Sequence, residues 1–100
     1  MKFIIENPTV SAAHFFRRAG YVFQKREGDE VAFARRLAVQ SFPRFHLFVK
    51  VEGNKFRVNL HLDHKAASYK GTKVHSGEYG KDSQLLQKEI ERLKSLGEEK

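Results

Sequence analysis

Five histidines are spread along the chain, at positions 14, 46, 61, 64 and 75. Imidazole is the side chain that exchanges protons near neutral pH. Two of the five fall in segments of clean apolar–polar alternation, Phe45 to Glu52 and Lys55 to Asp63, joined by Gly53-Asn54. A two-residue link of that composition is a favoured hairpin turn. Counting back from it pairs Glu52 with Lys55, Lys50 with Arg57, Phe48 with Asn59, His46 with His61 and Arg44 with Asp63 on one face. The other face pairs Val51 with Phe56, Val49 with Val58, Leu47 with Leu60 and Phe45 with Leu62. A slip of one residue would oppose apolar to polar side chains throughout, so the register is well determined.

Two opposed imidazoles beside a carboxylate can share a proton, a metal ion or a ligand. His61 and Asp63 point the same way from a strand, whereas His64 points to the other side or leaves it. His75 and Glu78 would complete a site if the segment after Asp63 folds back over the sheet. Such N and O donors would suit zinc, but no compact ligand motif is present and the chain has no Cys, so no metal site is assigned. Imidazole and carboxylate also suit proton transfer, with Lys50, Arg57 and Lys65 placed to hold a phosphodiester. A hydrolase or nuclease of this kind would use His46, His61, Asp63 and His75. Gly71-Thr72-Lys73 lacks the earlier Gly of a P-loop, and neither a nucleophile elbow nor a zinc-peptidase helix motif occurs. No cofactor is expected.

The formal net charge is +7. Residues 81–100 hold five basic and five acidic side chains, so the whole excess lies in residues 1–80. A basic body of this kind favours polyanions. The leading expectation is therefore a nucleic-acid-binding module, for RNA more than DNA. Its surface would include Arg17, Arg18, Arg36, Arg44, Lys50, Arg57, Lys65, Lys70 and Lys73, with Phe48 and Tyr69 as stacking residues. A hydrolase or nuclease, and a domain that docks on an acidic protein partner, are the alternatives.

The elements that must carry these residues form one expected domain over 1–100. Asn7-Pro8 suggests a helix from Pro8 to Ala19, closed by Gly20, with Ala12, Phe16 and Ala19 on one stripe. Arg17 and Arg18 in its last turn also complement the helix dipole. Tyr21 to Lys25 and Val31 to Leu37 read as a first hairpin of ambiguous register. Phe3 to Ile5 could add a short edge strand or simply pack beside the helix. Residues 64–81 read as a long loop, and loops of that length are often functional. Asp82 would cap a final helix running to Leu96, with Leu86, Ile90 and Leu93 buried. The fold class expected is α+β, an antiparallel meander of three or four strands between an N-terminal and a C-terminal helix. The apolar run at the N-terminus is too short for a signal peptide and no stretch is long enough to span a bilayer, so a cytoplasmic protein without a membrane partner is expected.

The order of helix, antiparallel meander and helix resembles that of double-stranded RNA-binding domains and of HicA-type mRNA interferases. The resemblance is one of topology and implies an RNA partner. The basic cluster that opens the second helix of the former reads Lys81-Asp82-Ser83-Gln84 here, and the Gly-Ser-His of the latter is absent, so no site residue carries over. The run Asn59 to Asp63 together with His75 to Tyr79 is similar to small prokaryotic proteins, a likeness that implies no activity.

Overall fold

The computed structural model describes residues 1–39, 42–64 and 81–98. It is an α+β fold of β1 (Lys2–Glu6), α1 (Ala12–Arg18), β2 (Val22–Glu27), β3 (Glu30–Arg36), β4 (Arg44–Glu52), β5 (Lys55–Asp63) and α2 (Lys81–Gly97). The five strands make one antiparallel sheet in the order β1-β5-β4-β3-β2. The β4–β5 hairpin has the register expected from its alternation, with His46 opposite His61 and Leu47 opposite Leu60. Gly53 takes φ 58° at the first turn position, where a side chain would be strained. Phe3 to Ile5 does form an edge strand, pairing along β5 with Phe3 opposite Val58.

Both helices pack on one side of the sheet. Phe15 and Phe16 of α1, Leu86 and Leu93 of α2, and Phe45, Leu47, Val49, Phe56, Val58 and Leu60 of the central strands share one core. Phe16 is fully buried and lies within 4.9–6.1 Å, centroid to centroid, of the rings of Phe15, Phe33, Tyr21 and Phe56. Among the described residues, no helix lies on the opposite side of the sheet.

Local chemistry explains where the elements differ from expectation. α1 starts at Ala12, because Ser11 is the N-cap and its hydroxyl accepts from the His14 amide at 3.1 Å. Asn7 instead adopts φ 50° and its amide donates to the Asn54 carbonyl at 2.9 Å, so it ties the end of β1 to the hairpin turn. β3 stops at Arg36, and the Leu37 amide turns to the Pro43 carbonyl, which leaves Leu37 exposed. Asp82 lies inside the first turn of α2, not at its cap, with Oδ2 2.6 Å from His64 Nε2.

β2 is an outer strand with Val22 and Phe23 well exposed. Its pairing shifts register between Phe23 and Lys25, and the run Lys25-Arg26-Glu27 is charged. A bulge and charges of this kind discourage a further strand from adding to the edge. No helix among the described residues is long and apolar enough to cross a membrane.

Candidate functional site

Strand alternation sends every second residue to the helix-free face of the sheet. β4 contributes Arg44, His46, Phe48, Lys50 and Glu52, and β5 contributes Asp63, His61, Asn59, Arg57 and Lys55. β3 adds Glu30, Ala32, Ala34 and Arg36, facing Lys50, Phe48, His46 and Arg44 in turn. β1 adds Lys2 beside Asn59 and Ile4 beside Arg57.

An aromatic ridge runs down the middle of this face. The rings of His46 and Phe48 lie 4.9 Å apart, and Phe48 lies 6.3 Å from His61. β3 places the buried Ala32 and Ala34 next to Phe48 and His46, which are themselves partly exposed. On the other flank a solvent-open concavity of about 660 Å³ is bordered by Phe48, Asn59, Lys50, Arg57, Lys2 and Ile4.

Two sets of charges sit at the ends of the ridge. At one end Arg57 Nε donates to Glu52 Oε1 at 2.7 Å, and Lys50 Nζ lies 3.6 Å from Glu52 and 3.9 Å from Asp29. The carboxylates thus offset the like-charged Lys50–Arg57 pair. Arg57's hydrogen bond, above all, holds the Glu52 carboxyl below its usual range. At the other end Asp63 Oδ2 lies 3.4 Å from His46 Nδ1 and 3.5 Å from Arg44 Nε. Arg44 also stacks over the Phe42 ring at 4.7 Å.

Burial, more than any other influence, holds His46 below the usual histidine range; Asp63 opposes that, while Arg44, His61 and Lys25 reinforce it. His46 is therefore neutral near pH 7. Nδ1 is the ring nitrogen that faces Asp63, and a neutral ring can offer its other nitrogen, Nε2, as an acceptor. The folded state takes this proton less readily than the unfolded chain. The resulting stability is present above pH 6.5, the ordinary value, and is lost as the pH falls through the depressed folded value. Proton NMR titration should place the His46 midpoint below 6.5. Asp63→Asn should push it lower still, because Asp63 is the attraction that favours the charged ring. A midpoint that does not move in Asp63→Asn would show that the two side chains are not coupled.

The expected binding residues divide between two sides of the molecule. Arg36, Arg44, Lys50 and Arg57 share the helix-free face with His46, His61 and Asp63. Arg17 and Arg18 are exposed in the last turn of α1, in the helix layer behind the sheet. Lys65, Tyr69, Lys70, Lys73, His75 and Glu78 lie outside the described residues. Among the described residues no group of three or more His, Asp or Glu is arranged to hold a metal ion. Lys2 and Gln24, which border the concavities of this face, were not singled out from the sequence. Alternation marks Lys2-Phe3-Ile4-Ile5 as a strand, but the partner that brings Lys2 beside Asn59 is more than fifty positions away.

In comparison with known proteins, the chain matches no family model, no curated protein and no solved structure. The functional reading rests on the chemistry of the face itself.

Proposed function

We propose that this chain binds nucleic acid on the helix-free face of its sheet, as a single strand and RNA in preference to DNA. The observation that supports this most is Phe48. The core lies on the other side of the sheet, so Phe48 adds nothing to it, yet its half-buried ring lies in the middle of the opposite face beside two imidazoles. Unstacked bases bind on such aromatic platforms, whatever their sequence. Asn59 stands directly across from Phe48, where its amide meets a base edge or a 2′-hydroxyl, and the latter contact is what distinguishes RNA from DNA. The net charge of +7 supplies attraction to the phosphate backbone.

Phe48→Ala should weaken binding to a short single-stranded RNA by about 1–3 kcal/mol, the usual worth of one stacked base. Fluorescence anisotropy at several salt concentrations measures it, with RNA and DNA of one sequence and a duplex RNA in parallel. Affinity should fall with rising salt as condensed counterions are released. No binding at low salt would overturn the proposal and favour an acidic protein partner.

One observation favours a second reading, phosphodiester hydrolysis. Asp63 lies 3.4 Å from His46, which is neutral and so able to accept a proton, and Arg44 stands beside Asp63. Cleavage of the bound RNA that disappears in His46→Ala would establish it, and RNA recovered intact leaves binding alone.

A further inference from the structure

The end of the face nearest Arg44 carries more than the general attraction of a basic surface. Arg36 and Arg44 occupy directly opposed positions on β3 and β4. Like charges in that arrangement repel. At the far end of the ridge the similar Lys50–Arg57 pair has Glu52 between its members and Asp29 beside it. Among the described residues the arginine pair has only Asp63, which approaches Arg44 from the β5 side. Arg44 Nε is buried and, at 3.5 Å from Asp63, still makes no hydrogen bond among the described residues. Arg36 spends one hydrogen bond on the Val39 carbonyl, at 3.2 Å.

The two arginines open onto a second concavity, of about 550 Å³, on the β2 side of the ridge. Arg35 borders it as well, together with the Gln24 amide and Val22, and the described residues that line it include no carboxylate. The contrast with the 660 Å³ concavity is chemical: Glu6 and Glu30 are among the residues that border that one. Arg35 is anchored from behind, 3.5 Å from Glu89 and 5.9 Å from the centre of the Phe45 ring. Gly20 completes the rim at φ 97°, a conformation that strains any side chain, and a Cβ added there would meet Arg35 Nε at 3.4 Å.

We propose that this concavity is a phosphate-binding subsite, in which Arg36 and Arg44 grip one phosphodiester of the bound strand. Guanidinium forks match phosphate oxygens in a two-point geometry that a lysine lacks. The bound anion also removes the repulsion between the opposed arginines. The subsite rests on the nucleic-acid reading for its natural ligand. Arg44 and Phe48 are four residues apart on β4, roughly 13 Å along an extended strand. The arginines and Phe48 thus occupy separate places along the face.

The test uses the whole chain and two probes, inorganic phosphate and a single-stranded oligouridylate. Arginine side-chain N–H resonances are followed during titration with phosphate. Those of Arg36 and Arg44 should shift saturably, ahead of Arg17, Arg18 and Arg57. Arg36→Gln, at an exposed position, should abolish the response, and Arg44→Lys should weaken it although the charge is kept. With the oligonucleotide, Arg36→Gln should reduce the slope of log affinity against log salt by about 0.7, one phosphate contact on a single strand. Equal shifts at all exposed arginines, or an unchanged response in Arg36→Gln, would overturn the subsite. If the oligonucleotide binds and its salt slope ignores Arg36→Gln, the subsite falls and the nucleic-acid reading stands. If phosphate binds as described but no oligonucleotide does, the subsite stands and the nucleic-acid reading falls.

Discussion

Glu89→Ala is expected to destabilise the fold by about 3–5 kcal/mol, the cost of stripping one member from a buried, hydrogen-bonded charge cluster. Glu89 is 4% exposed, the one buried charged residue among those described. Tyr21 donates its hydroxyl to Oε2 at 2.6 Å, and Arg92 donates to both carboxylate oxygens at 2.9 Å. Arg35 stands 3.5 Å away, and a nitrogen of Arg92 also donates to the Ala19 carbonyl at 2.7 Å. The cluster therefore ties α2 to the end of α1 and to β3. Burial, then the neighbouring Glu89 charge, pushes Tyr21 far above the usual phenol range, so its hydroxyl stays a donor at any physiological pH. Loss of the carboxylate leaves two guanidinium groups and a phenol without their shared acceptor. Replacing Glu89 and Arg92 together by leucine and methionine should cost less than Glu89→Ala alone, because no partner charge is stranded between them. Urea unfolding of the three proteins decides it. A loss below about 1 kcal/mol in Glu89→Ala would mean that the cluster is no better than a surface ion pair.

That cluster also shows what one sequence conceals. Leu86, Ile90 and Leu93 are the obvious buried stripe of α2, and Leu86 and Leu93 are indeed fully buried. Between them Glu89 is more deeply buried than Ile90. A carboxylate there is tolerable only because Tyr21, Arg35 and Arg92 converge on it, and two of those three come from distant parts of the chain. Helical periodicity carries no information about such partners. Phe15 is a different case: three residues after Ala12 and four before Ala19, it lies on the stripe that helical spacing alone marks, and it is buried beside Phe16.

The β4–β5 hairpin lies at the other extreme. All nine pairs from Arg44–Asp63 to Glu52–Lys55 follow from a period of two and a turn of two residues, both local. The His46–His61 opposition was legible for that reason, and so was the like-charged Lys50–Arg57 pair. The identity of its offsetting carboxylate, Glu52, needed side-chain geometry. The arginine concavity needed more. It depends on Arg36 facing Arg44, hence on how β3 lies against β4, and the impure alternation of Val31 to Leu37 left the register of that part of the sheet open.

Phe16→Ala should be as costly as the loss of Glu89, about 3–5 kcal/mol, through lost burial and the cavity left behind. Phe16 is wholly shielded from solvent and is ringed by Phe15, Tyr21, Phe33 and Phe56, three of them edge-on or tilted within 6 Å. Such ring pairs add to the value of the buried area. α1 has seven residues, too few to persist by its own hydrogen bonds, so its helicity depends on the anchorage that Phe15 and Phe16 provide. Phe16→Leu should lose only a part of this, since it retains most of the apolar volume. The loss should appear first as faster amide exchange in α1 and only later across β4 and β5, whose ladder has its own apolar pairs. Phe16 lies on the helix side of the sheet and Phe48 on the other. Under conditions where Phe16→Leu remains folded, its affinity for single-stranded RNA should therefore match that of the parent. A drop in affinity comparable with that of Phe48→Ala would mean that the two faces of the sheet are not independent, and that ligand binding depends on the packing of α1.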